Sequence, residues 1–149
     1  MNPINIIGVY LLLALFLLIG LPIWVYICDP FEQKLLNILV YISCSGGIGG
    51  TIYCIRGFYQ NLGGKSFETN WTWWYVFRPI ISAIIGIFAY FMIVGGLMSI
   101  SNSPDVNYSK SVMFYCAVSF LAGFSFTKFI EKIDLISDTI FSKKNEEES

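Results

Sequence analysis

The residues most suggestive of chemistry lie in one run, 43–57, which reads Ser-Cys-Ser-Gly-Gly-Ile-Gly-Gly-Thr-Ile-Tyr-Cys-Ile-Arg-Gly. Clustered glycines ahead of a threonine invite comparison with loops that cradle phosphates on bare backbone N–H groups. The partners that such chemistry needs are missing. A phosphate loop carries Gly-Lys-Ser/Thr so that the lysine reaches the phosphates, whereas Gly49-Gly50 leads into Thr51-Ile52. A dinucleotide fingerprint needs glycine at its first, third and sixth positions. Gly47 and Gly49 fill the first two, but Ile52 occupies the last.

Other chemistries fare no better. The chain has no histidine, which removes the commonest general base, metal ligand and pH switch together. Its cysteines, Cys28, Cys44, Cys54 and Cys116, lie in or beside apolar runs without a C-x-x-C pair. They read as small buried fillers, so neither a zinc site nor a disulfide is implied. No nucleophile with an adjacent base and no paired carboxylates stand within the apolar segments. No catalytic residue, metal or cofactor is expected, and the chain is not read as an enzyme.

The composition explains what the glycines are for instead. The 149 residues suit a single domain, 56% are hydrophobic and only 13% are charged, against about 25% charged in soluble domains. So little polar material cannot cover a soluble molecule. The net charge of −1 offers no field for nucleic acid, and no local basic patch supplies one. The predicted class is an all-α integral membrane protein, of the bacterial inner-membrane kind, with the lipid bilayer as its first partner.

About 20 apolar residues span a bilayer as a helix. Four uncharged runs meet that need, predicting transmembrane helices at about 5–28, 35–56, 78–100 and 110–130. The first lacks the basic start and the small-residue cleavage site of a signal peptide, and Pro22 is expected to kink it near its end. Pro79 sits at the start of the third run, a natural first-turn position. The fourth run is the shortest, with Lys128 expected to snorkel toward headgroups. Beyond it, Phe126, Phe129, Ile133, Ile136 and Ile140 recur at helical spacing opposite Glu131, Asp134 and Asp138. That pattern predicts an amphipathic helix at about 126–141, either continuing the fourth span or bending along the membrane surface. Residues 1–141 then form one domain, and 142–149 a charged, disordered tail.

Within the second span, Ser43, Gly46, Gly47, Gly50, Cys54 and Gly57 fall along one stripe. Small residues let helix backbones approach closely, and in lipid the resulting dispersion contacts drive association. The third span offers Ser82, Gly86 and Ala89, and the fourth offers Cys116, Ser119, Gly123 and Thr127. Counting from the span ends places Gly50, Gly86 and Gly123 at one depth, about 8–10 Å inside the interface. Spans two, three and four are therefore expected to pack at that level, with the first span peripheral.

The long internal loop carries three of the four tryptophans, Trp71, Trp73 and Trp74, beside Tyr75 and Phe77. Such rings favour the headgroup level, so 71–77 reads as an interfacial segment lying in the membrane plane. Arg56 and Arg78 flank this loop and are the candidate contacts for anionic lipid or a partner carboxylate. With four spans, the side holding both termini and the loop carries seven lysines and arginines against two on the other. Both termini are accordingly expected in the cytoplasm. Asn107-Tyr108-Ser109 forms a glycosylation sequon on the outer side, a pattern frequent by chance.

The functional expectation is a helix-packing scaffold or accessory subunit that self-associates or binds a membrane or cytoplasmic partner through its loop and tail. One alternative is an oligomeric pore-forming or membrane-disrupting effector, of the holin or phage-defence kind. A second is a small channel or exporter. Four cores free of ionisable residues argue against proton-coupled transport.

Overall fold

The computed structural model describes residues 3–31, 33–63, 72–97 and 108–142. These residues form five helices: α1 Pro3–Cys28, α2 Lys34–Gly63, α3 Thr72–Val94, α4 Tyr108–Phe124 and α5 Phe126–Ser142. Among the described residues there is no strand. The readings placed on Trp71, on most of the internal loop, on Asn107 of the sequon and on 143–149 lie outside them.

Three helices are long and apolar enough to cross a membrane, over Asn5–Cys28, Lys34–Asn61 and Trp73–Val94. The fourth and fifth meet that test only as a pair, Ser111–Phe124 with Phe126–Phe141, bent by 101°. Alone, the 17 residues of α4 rise about 26 Å, short of the ~30 Å hydrocarbon core. The molecule thus has three helices long and apolar enough to cross a membrane, or four if the bent pair counts as one.

Boundaries differ from the sequence reading in an informative way. α2 runs about two turns past Arg56, to Gly63. α3 begins at Thr72, so residues 72–77 are its opening turns and not a separate segment in the membrane plane. Pro79 is consequently inside the helix, where its missing N–H costs the bond to the Tyr75 carbonyl one turn back. α3 also ends at Val94, short of the expected 100. Gly96 closes it with φ +75°, its N–H reaching the Ile93 carbonyl at 3.1 Å. A left-handed residue here is glycine's ordinary role at a helix end.

The corner between α4 and α5 falls on Ser125. Its N–H donates to the Leu121 carbonyl at 2.8 Å, and its own carbonyl accepts from Phe129 N–H at 3.0 Å. Ser125 therefore ends one helix and caps the next, and the expected continuous span at 110–130 is replaced by two helices.

α2 is the central element and touches α1, α3 and α4. α1 is peripheral: only 11% of its most apolar stretch is buried, against 44% for α2 and for α3. It docks through Ile7 and Leu11, which pack with Cys54 and Tyr75, and Tyr10 Oη donates to the Val76 carbonyl at 3.0 Å. Pro22 lies within α1 without interrupting it. Its end is stopped by Asp29, at φ +39°, followed by Pro30. The Asn37 side chain, at the start of α2, donates to the Asp29 carboxylate at 2.5 Å and fixes that connection.

Candidate functional site

The small residues of α2 face three other helices. A side-chain carbon added at Gly46 would stand 2.6 Å from the Ser82 carbonyl and 2.9 Å from Gly86 Cα. One at Gly86 would stand 3.0 Å from the Ile42 carbonyl, and one at Gly123 would collide with the Gly46 carbonyl. Gly46 is thus where the backbones of α2, α3 and α4 converge. Gly50 faces the Ser82 side chain instead, so the expected level of Gly50 with Gly86 and Gly123 is corrected by one turn.

Hydroxyls reinforce these approaches. Ser119 Oγ donates to the Gly86 carbonyl at 3.0 Å, Ser82 Oγ to the Gly123 carbonyl at 3.4 Å, and Ser45 Oγ to the Cys116 carbonyl at 2.7 Å. Gly47 meets Leu18 of α1 and Ala83 of α3, at 3.0 and 3.4 Å from an added carbon. Cys54 is fully buried against α1. Ser43 is half-buried, and Gly57 has only the Tyr75 hydroxyl near it, at 3.8 Å. Gly49, off the predicted stripe, packs on the α4 backbone at Phe120 and Phe124. Two sides of α2 are therefore in close backbone contact, one with α3 and one with α4.

The two arginines are treated unequally. Arg56 is exposed, whereas Arg78 is only 7% exposed. The Arg78 guanidinium carbon lies 4.1 Å from the Phe126 ring centre, 5.1 Å from that of Tyr53 and 5.4 Å from that of Trp74. Its Nε is buried with no hydrogen-bond partner. Trp74 is half-buried and also meets Tyr53, with ring centres 6.1 Å apart. Trp73 is exposed and stacks on Phe77 at 5.8 Å.

Cation–π contact with a desolvated arginine contributes about 2 kcal/mol. Removing such a charge from water costs several kcal/mol. The rings orient the guanidinium and cover its faces, but they leave its N–H edge short of acceptors. Beside it is a cavity of about 170 Å³ lined by Arg78, Tyr53 and residues 124–128. That last segment is the helix corner, and its Lys128 is exposed. Tyr53, Ser125, Phe126 and Lys128 were not singled out as site residues from the sequence. Phe126 was visible only as the start of the amphipathic period, with nothing to pair it with Arg78.

A second cavity, of about 480 Å³, lies at the opposite end of the bundle, lined by Asp29, Lys34, Asn37 and Tyr41 among others. Among the described residues no group of three or more histidine, cysteine or acidic side chains is placed to hold a metal ion. No family model matches the chain, and neither curated proteins nor solved structures yield a significant match.

Proposed function

We propose that the protein is a multi-pass membrane protein that works by binding, as a scaffold or accessory subunit, and not by catalysis or by forming a pore. The observation that carries this reading is the use of the small-residue faces. Gly46, Gly49, Gly50, Gly86 and Gly123 all abut other helices of the same chain. Faces closed in this way are unavailable to line a channel between subunits or to drive assembly by glycine packing.

The reading includes four crossings, with α4 completed at the Ser125 corner, and both ends of the chain on the cytoplasmic side. Its support is the distribution of charge over the bundle. Ile7 and Gly8 of α1 lie against Tyr75 and Phe58, so the start of α1 shares one end of the bundle with the start of α3. Arg56, Arg78, Lys128 and Lys132 belong to that end, and Lys34 and Lys110 to the other. Lysine and arginine favour the cytoplasmic face. The docking surface is the outer half of α5, where Leu135, Ile140 and Phe141 are exposed beside Lys132, Asp134 and Asp138.

Two measurements test this. Liposomes containing the purified protein should retain an encapsulated dye as well as protein-free liposomes do; leakage above that level sinks the reading in favour of a pore. A photo-cross-linking residue at Phe141 should give a discrete protein adduct in native membranes, while one at Phe16 on α1 should react with lipid. A protein adduct from Phe16 alone would move the docking surface to α1.

A further inference from the structure

We infer that the corner between α4 and α5 is a binding site for a phosphate group, with the phosphate of an anionic lipid as the source that its position in the bundle favours. The inference stands whether or not α5 docks a partner. Three observations converge on it. Arg78 is 7% exposed, and its Nε is buried without an acceptor. Aromatic rings of Phe126, Tyr53 and Trp74 lie 4.1–5.4 Å from its guanidinium carbon. The rings fix the plane of the cation before any ligand arrives, which favours recognition by its N–H edge. The first-turn amides of α5, Phe126, Thr127 and Lys128, open a 17-residue helix and have no acceptor within it. The same three residues line the cavity together with Arg78, and a helix start carries the partial positive charge that suits an anion.

The rest of the lining fits the same ligand. Ser125 and Thr127 bring hydroxyl donors, and Lys128 brings a second cation. Among the described residues no carboxylate lines the cavity. Its volume of about 170 Å³ is room for a few waters at ~30 Å³ each, and therefore for one tetrahedral oxyanion. Arg78 lies five residues from the start of the apolar stretch Trp73–Val94, a rise of about 8 Å. The cavity is therefore little more than one helical turn inside the end of that stretch, within reach of a phospholipid headgroup drawn toward the buried cation.

The test uses the full-length protein in non-ionic detergent, stripped of lipid, with binding read by native mass spectrometry. Phosphatidylglycerol, inorganic phosphate and uncharged diacylglycerol are titrated separately, and then phosphate against phosphatidylglycerol. One phosphatidylglycerol per chain should be retained, about tenfold more weakly by Arg78→Gln and about threefold more weakly by Lys128→Gln. Diacylglycerol should show no saturable adduct. Lys128 is exposed, so its variant keeps the test decisive even where Arg78→Gln fails to fold. An inorganic phosphate adduct with the same variant dependence, displacing the lipid, would support the site and assign it to free phosphate. Equal lipid retention by all variants, retention of diacylglycerol to the same extent, or no saturable adduct with either phosphate would overturn the inference.

Discussion

Three glycines, Gly46, Gly86 and Gly123, stand where the backbones of α2, α3 and α4 approach closely, and one methyl group is enough to test that. Gly123→Ala drives its new carbon into the Gly46 carbonyl, which is backbone and cannot swing aside. The expected loss is about 1–3 kcal/mol, the usual range for overpacking, read as a lower melting temperature in detergent. Gly20 is the control, because an added carbon there meets nothing within 4 Å. Gly20→Ala should melt at or slightly above wild type, since alanine is the better helix former. Equal melting of the two variants would remove the close-packing explanation. Ser119→Ala deletes a 3.0 Å bond to the Gly86 carbonyl without changing shape, and should cost only about 0.6 kcal/mol. A loss larger than that of Gly123→Ala would make polar bonds, not close approach, the dominant glue. The glycine spacing of α2 was legible in the sequence, but which partner each glycine meets was not. The Gly46–Gly86 approach depends on how the two helices are offset along their axes, which residue counts from Arg56 and Arg78 fix only to within about a turn.

The elements show the same division. Apolar runs announced the helices, because a stretch near 20 residues without charge has few other uses. The corner at Ser125 was hidden, because Gly-Phe-Ser-Phe-Thr-Lys at 123–128 carries no proline, and its glycine belongs to a packing contact. The change from an all-round apolar run to an amphipathic one was the available signal, and it left continuation and bending equally open. The start of α3 was hidden for a related reason: tryptophans suited to an interface also serve as the first turns of a long apolar helix. The bend itself is open to measurement by spin labels in nanodiscs. Along α5, labels at Lys132 and Asp138 should respond to a water-soluble relaxant and a label at Ile140 to oxygen. None of the 17 positions should register bilayer-centre depth. A steady rise in oxygen accessibility from Phe126 onward would mean that α5 continues into the bilayer.

At the scale of the whole molecule, α2 acts as a post on which α3 and α4 are mounted at contact distance and α1 more loosely. The polar atoms of the interior are used between helices, as in Ser45 to Cys116 and Ser119 to Gly86. Unsatisfied positive charge collects at one end, around Arg78. Such a body has its closest faces turned inward and leaves α5 and most of α1 uncovered by the other helices. The central claim is that the small-residue faces close within one chain. The most direct measurement replaces Ser45 by cysteine beside native Cys116, with Cys28, Cys44 and Cys54 changed to alanine, and treats the protein in its native membrane with a short bifunctional thiol reagent. The Ser45 hydroxyl lies 2.7 Å from the Cys116 main-chain carbonyl, which brings the two positions within the reach of such a reagent, so the expected product is an internal cross-link at the mass of a single chain. A cross-linked dimer as the main product would contradict the claim and assign those faces to an assembly.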